Sequence, residues 1–181
     1  MAPLTNQVAK LLYELPYTVN LEDLRTIIYR RANKLVEEAD EKRLKTIQKA
    51  IKYLGNKDSG ITISYSKTVK ETIQKLQKLK VIISESRPLL EGQKLAEDLA
   101  ECGIHVTLII DAARGSFIEK AEVAFTGADS ILNDGAVINK VGTNLLALAA
   151  KDRGIPFYSI CSTVKFNLRE NRYMWGAIHQ I

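Results

Sequence analysis

Apolar residues recur at helical spacing through the first third of the chain. One set is Val8, Leu11 and Leu12. A second is Leu21, Leu24, Ile27, Ile28, Ala32, Leu35 and Val36, and a third is Leu44, Ile47, Ala50, Ile51 and Leu54. Steps of three and four residues place each set along one face of an α-helix. Pro16 and the capping signal at Asn20 separate the first predicted helix from the second, and Asp40 is expected to start the third. The backs of these helices are polar, so they must pack on one another or on a partner.

After Gly55 and the polar turn NKDSG the period changes. Short β-rich runs, GITIS, KVIIS, HVTLII, EVAFTG and PFYSIC, alternate with helical segments spanning Val69 to Leu79, Leu89 to Cys102 and Leu145 to Lys151. Such alternation predicts an α/β fold built from βαβ units, with a mostly parallel sheet and helices on both faces. The boundary is placed near residues 55 to 60, giving an N-terminal helical region over 1–57 and an α/β domain over 58–181. No internal repeat or low-complexity tract interrupts either part.

Ligands of open parallel sheets bind outside the carboxyl ends of the strands. Polar residues gather at those ends: Ser64 to Ser66, Glu85 to Arg87, Asp111, Gly127 to Asp129, and Ser162 with Thr163. One crevice is expected to collect them.

A net charge of +5, with much of it between Lys42 and Lys80, mildly favours an acidic partner. Basic helical faces are usually solvated, and no RNA-binding signature or helix-turn-helix cue accompanies this one, so a dedicated nucleic-acid module is disfavoured. Cys102 and Cys161 stand far apart and read as buried thiols, without metal-ligand or disulfide spacing. No stretch approaches the roughly 20 apolar residues of a membrane helix, and the N-terminus lacks a signal-peptide layout. The cytoplasm is the expected compartment.

Three motifs carry candidate chemistry. In SESRPLLEGQ, Arg87 stands between a strand and a helix whose first turn is expected to contain Pro88; a guanidinium beside helix-terminal amides suits a phosphate or carboxylate, and an ion pair with Glu91 is the plainer alternative. In FTGAD, small residues let a ligand approach the backbone, and Asp129 in a semi-enclosed crevice is a candidate general acid or base. Capping of the next element is the competing role for that acid. In NDGAVINKVGTN a turn signal precedes Asn139 and Lys140, both placed to donate to an anion where a helix begins, or else to serve as a cap and a solvated lysine. His105 and His179 have no nucleophile in a triad-like context, and neither GxGxxG nor a P-loop occurs, so no cofactor is expected.

Two longer stretches, ISESRPLLEGQKLAEDLAECGIHVTLIIDAA and TGADSILNDGAVINKVGTNLLALAAKDRGIPFYSICST, resemble one family in order and spacing. It contains the alpha, beta and delta regulatory subunits of eukaryotic translation initiation factor 2B, their archaeal relatives, and isomerases of methylthioribose-1-phosphate or ribose-1,5-bisphosphate. The resemblance covers about residues 60 to 163 and implies a helical N-terminal region followed by a Rossmann-like domain that dimerises.

In the isomerases a catalytic cysteine ends the first strand and works with the GAD aspartate. The matching positions here are Ser64 and Asp129, and SYSKTV follows the initiation-factor form. A serine without an activating histidine is a poor substitute for a proton-transferring thiol. The isomerases' Arg-Gly phosphate loop and their site-closing C-terminal segments have no counterpart found here. The resemblance therefore implies a homodimeric, non-catalytic regulatory subunit of archaeal type that binds initiation factor 2, through its alpha subunit. It keeps an anion pocket for a sugar phosphate or nucleotide, formed by Arg87, Asn139, Lys140 and Ser64, with no metal. The alternative is an aldose-ketose isomerase using Asp129 as acid/base; RNA binding through the basic stretch is a third reading. Tyr173, Met174 and Trp175 in the tail are expected to pack into a domain or dimer interface.

Overall fold

In the computed structural model of the protein, Val8, Ala9, Tyr13, residues 20–167 and Glu170 are described. Most of the expected first helix and the tail residues Tyr173, Met174, Trp175 and His179 lie outside the described residues. Asn20 caps helix α1 (Leu21–Leu54) as its residue type predicts: its Oδ1 accepts from the amides of Glu22 at 3.1 Å and Asp23 at 2.9 Å.

The expected break at Asp40 is absent, and one helix of 34 residues, roughly 50 Å long, replaces two. No Gly or Pro interrupts residues 21–54, and the Asp40 carboxylate accepts from Arg43 one turn on, at 2.9 and 3.2 Å, instead of from a helix-terminal amide. Ile47, Ala50 and Leu54 in the last turns are buried, while the first half of the helix carries no fully buried residue.

The chain then alternates through β1 (Ser59–Ile63), α2 (Lys67–Lys75), β2 (Lys80–Ser84), α3 (Glu91–Glu101), β3 (Val106–Ile109), the single-turn α4 (Arg114–Phe117) and β4 (Val123–Thr126). A hairpin of β5 (Ser130–Leu132) and β6 (Val137–Ile138) follows, then α5 (Thr143–Asp152), β7 (Phe157–Ser159) and β8 (Phe166–Asn167). All five predicted strands join one parallel sheet in the order β3-β2-β1-β4-β7. Ile61 faces Ile82 on one side and Ala124 on the other.

Apolar side chains cover both sheet faces, as a parallel sheet wrapped by helices requires. Val81, Ile83, Val123 and Phe125 meet Leu54, Val69, Ile73, Leu95 and Leu99 on one face. Ile61, Ile63, Ile82 and Ala124 meet Ile118, Leu146 and Ala150 on the other.

Two boundaries differ from the expected ones. Helix α2 stops at Lys75 instead of Leu79, and α3 starts at Glu91, so Pro88 belongs to the preceding turn and not to the first helical turn. A three-stranded sheet, β6-β5-β8, was not predicted, although the NDG turn inside it was; Asp134 Oδ1 accepts from the Ala136 amide at 3.0 Å to close that turn. Among the described residues, no helix is long and apolar enough to cross a membrane.

Candidate functional site

Strand order reverses at β1, whose neighbours are β2 on one side and β4 on the other. A cleft of about 310 Å³ opens there, outside the carboxyl ends of β1, β4 and β7. This is where a doubly wound sheet takes its ligands.

The β1 wall begins at Ser64, held at φ 62°, with its amide donating to Ser86 Oγ at 2.8 Å. Two residues on, Ser66 caps α2, so the first turn of that helix, with Lys67 and Thr68, borders the cleft. The next residue after Ser64, Tyr65, also lines it but leans outward: its hydroxyl donates to Asp98 Oδ2 at 2.6 Å. Lys70 and Lys94 pair with the same carboxylate at 2.5 and 2.7 Å. Hydrogen bonds from Lys70, Lys94 and Tyr65 hold Asp98 well below the usual carboxylate range.

Across the cleft, β4 delivers Gly127, Ala128 and Asp129. A Cβ on Gly127 would lie 2.8 Å from that of Ser66, so the two walls meet only because this position is small. Asp129 lines the cleft but is exposed at its rim, without the enclosure expected for it; its amide donates to Ile138 O at 2.8 Å.

Asn139 and Lys140 form a third side, ahead of α5. The expectation that Asn139 donates to a ligand is corrected. Its Nδ2 donates to Thr126 Oγ1 at 2.7 Å and to Thr143 Oγ1 at 3.0 Å. Since Thr143 spends its own hydrogen on Lys140 O at 2.7 Å, it must accept from the amide, and both amide hydrogens are committed. Only Oδ1 is left for a ligand. Lys140 Nζ stands 2.5 Å from Glu91 Oε2, a close ion pair at the start of α3.

At the end of β7, Cys161 lines the cleft, half-buried. Burial pushes its thiol up, against the opposing pull of Ser159 and Lys165, so it is protonated near neutral pH.

Arg87 is not brought to the cleft. Its side chain is 70% exposed, and its Nε donates to Glu85 Oε1 at 3.0 Å, so Glu85 and not Glu91 is its carboxylate partner. Positive φ at Ser86 and Leu90, on either side of it, shapes the turn that turns it away. Sequence reasoning did not pick out Lys67, Lys165, Glu91 or Cys161 as cleft residues, nor Arg114, which is buried behind the walls. Among the described residues, no group of three or more His, Cys, Asp or Glu is placed to hold a metal ion.

The family model described as Initiation factor 2 subunit family matches residues 2–174. The chain belongs to this family. A translation initiation factor eIF-2B subunit 2-like protein of Pyrococcus horikoshii is 38% identical over 160 residues, covering 86% of this chain and 58% of that protein. Ribose 1,5-bisphosphate isomerase of Archaeoglobus fulgidus is 34% identical over 157 residues, covering 82% and 49%. The crystal structure of Pyrococcus horikoshii translation initiation factor eIF-2B superposes with a TM-score of 0.80 at 35% identity, over 96% of this chain and 62% of that one. For 5-methylthioribose 1-phosphate isomerase of the same organism the TM-score is 0.77 at 25% identity, over 92% and 50%.

The family thus covers both initiation-factor subunits and sugar-phosphate isomerases. The chain spans about half the length of these curated relatives.

Proposed function

We propose that the protein is a regulatory subunit of the initiation factor 2B type, which dimerises, binds initiation factor 2 through its alpha subunit, and acts in the cytoplasm. In this reading its cleft binds a sugar phosphate or nucleotide without converting it. The non-catalytic reading is carried by Ser64 at the end of β1, the position that the resemblance matches to the isomerases' cysteine. Among the described residues lining the cleft there is no histidine to activate that hydroxyl. An exposed Asp129 also lacks the dry surroundings that favour proton transfer between carbons.

Three lysines, Lys67, Lys140 and Lys165, and the first turn of α2 support an anionic ligand. Ser64, Lys140 and the Asn139 Oδ1 contact it, while Arg87 serves its ion pair with Glu85. Incubation with ribose 1,5-bisphosphate or methylthioribose 1-phosphate is expected to give saturable binding and no ketose. Ketose that disappears with Asp129→Asn would overturn the non-catalytic part of the reading. A pull-down with the alpha subunit of initiation factor 2 tests the partner, and no retention of that subunit rejects it.

A second reading, the aldose-ketose isomerase, rests on Cys161, because the cleft does contain a thiol although it stands at the end of β7. Asp129 would then be the acid/base and Lys140 the phosphate ligand. Burial works against it by keeping that thiol protonated. Ketose formation lost with Cys161→Ser would support it, and its absence in the unmodified protein rejects it.

A further inference from the structure

Behind the cleft, one buried cation reaches both of its walls. Arg114, 7% exposed, leads α4 after the 3-10 turn Asp111–Ala113 that follows β3, and uses all three of its nitrogens. Nε donates to Ser84 Oγ at 3.1 Å, Nη1 donates to Gly142 O at 3.2 Å, and Nη2 pairs with Asp111 Oδ1 at 2.7 Å. A guanidinium taken out of water is tolerated only with its donors engaged in this way.

The Asp111 contact leads on to the β1 wall. Its Oδ1 also accepts the Ser86 amide at 2.9 Å, and Oδ2 accepts the Arg87 amide at 2.8 Å. Ser86 Oγ donates to Ser84 O at 3.0 Å and accepts the Ser64 amide at 2.8 Å. Ser64, at φ 62°, is thus held in the left-handed region through Ser86 and Asp111.

The Gly142 contact leads to the opposite wall. Gly142 heads α5, and the next residue, Thr143, bonds Lys140 O through both its amide and its hydroxyl while accepting from Asn139. Gly142 itself has φ +95°, and a Cβ there would come within 2.2 Å of Arg114 Nη1. Only glycine leaves room for the guanidinium.

We infer that Arg114 is a positioning residue of the cleft, coupling the Ser64 wall to the Asn139–Lys140 wall. The inference rests on the proposed function only in treating this cleft as the ligand site. Lysine has one compact ammonium and cannot serve Asp111, Ser84 and Gly142 together. Hydrogen exchange of the full chain is the test. In Arg114→Lys, the amides of Ser64 and Ser86 on one wall and of Thr143 and Leu146 on the other should all exchange about tenfold faster or more, as loss of a charge-assisted hydrogen bond implies. Amides of Ile61 and Val123 in the sheet should keep their rates.

Ser86→Ala should speed Ser64 and leave Thr143 and Leu146 unchanged. If Arg114→Lys loosens the whole molecule, Gly142→Ala decides: it displaces the guanidinium from the far side, and faster exchange at Ser64 confirms coupling. An unchanged Ser64 rate in Gly142→Ala, or acceleration of only one wall in a folded Arg114→Lys, overturns the inference. Inorganic phosphate adds a separate arm. Phosphate binding by the unmodified protein and equally by a folded Arg114→Lys also overturns it, whereas phosphate bound by neither rejects the ligand reading and leaves the exchange rates to decide the coupling.

Discussion

Asn139→Ala tests whether the cleft's amide is scaffold or ligand donor. The substitution removes two hydrogen bonds, to Thr126 Oγ1 at 2.7 Å and Thr143 Oγ1 at 3.0 Å. Each is worth about 1 kcal/mol net, and stranding a buried hydroxyl adds about 1–3 kcal/mol. Thr126 is fully buried and bears that penalty, whereas Thr143 is half-buried and can turn to water. Taking the stranding penalty in place of the bond at Thr126 and the net bond at Thr143, the expected loss is about 2–4 kcal/mol. Urea unfolding followed by far-ultraviolet circular dichroism would show it as a midpoint lowered by about 1–2 M, at a slope near 2 kcal/mol per molar. A cycle with Thr126→Val should return a coupling of about 1 kcal/mol, since each single change already removes their shared bond. A stability change under about 0.5 kcal/mol, the range of ordinary surface substitutions, would refute the reasoning and return the amide to the ligand.

Three further changes probe other parts of the same region. Gly92→Ala would set a Cβ 1.8 Å from Ser84 O, a backbone atom of a central strand that cannot swing aside, so a loss above about 3 kcal/mol or no folded protein is expected; an unchanged urea midpoint contradicts it. Burial pushes the Asp111 carboxyl up, but Arg114 and the amides of Arg87 and Ser86 outweigh it and hold it below its ordinary value. A carboxyl depressed in the folded state contributes stability that is present above about pH 3.9 and is lost as pH falls through its folded value. Asp111→Asn should flatten the acid limb of urea stability, and an unaltered limb refutes the assignment. Glu91→Gln removes the carboxylate that competes for Lys140, so titrated inorganic phosphate should bind more tightly by about threefold or more, whereas weaker binding would mean that Glu91 holds the lysine in place.

How much of this was legible beforehand follows from the range of each interaction. The five strands and the helices between them were readable because KVIIS or EVAFT is apolar on both faces over its own few residues, and the flanking turns are local too. The cleft was readable in part from the polar residues at the strand ends: Ser64 to Ser66, Gly127 to Asp129 and Ser162 line it, whereas Glu85 to Arg87, Asp111 and Thr163, expected in the same crevice, do not. Asp40 failed because a capping residue acts only where the amides ahead of it are free, and here they were already spent in an unbroken helix, leaving Arg43 as the nearer donor. Arg87 failed for a related reason: proximity in sequence to a helix start says nothing about direction, which the turn from Ser86 to Leu90 sets.

Asn139 shows where such reading stops. Its two donors are visible in the residue type, yet their use depends on Thr126, thirteen residues earlier on another element, and on the hydroxyl of Thr143 being already turned toward Lys140 O. Arg114 is further out of reach. Its partners Ser84 and Gly142 stand 30 and 28 residues away, on opposite sides of it in the chain, and no local pattern distinguishes it from a solvated arginine. The glycine at 142 was the nearest thing to a signal, but a glycine before a helix has an ordinary explanation as a cap. Only the 2.2 Å approach of a Cβ to the guanidinium separates the two roles, and it predicts that Gly142→Ala will cost more than cap geometry alone. Pairing that change with Arg114→Met, which removes the crowding charge, should recover part of the loss if the approach is the cause; a strictly additive pair would return Gly142 to a purely conformational role.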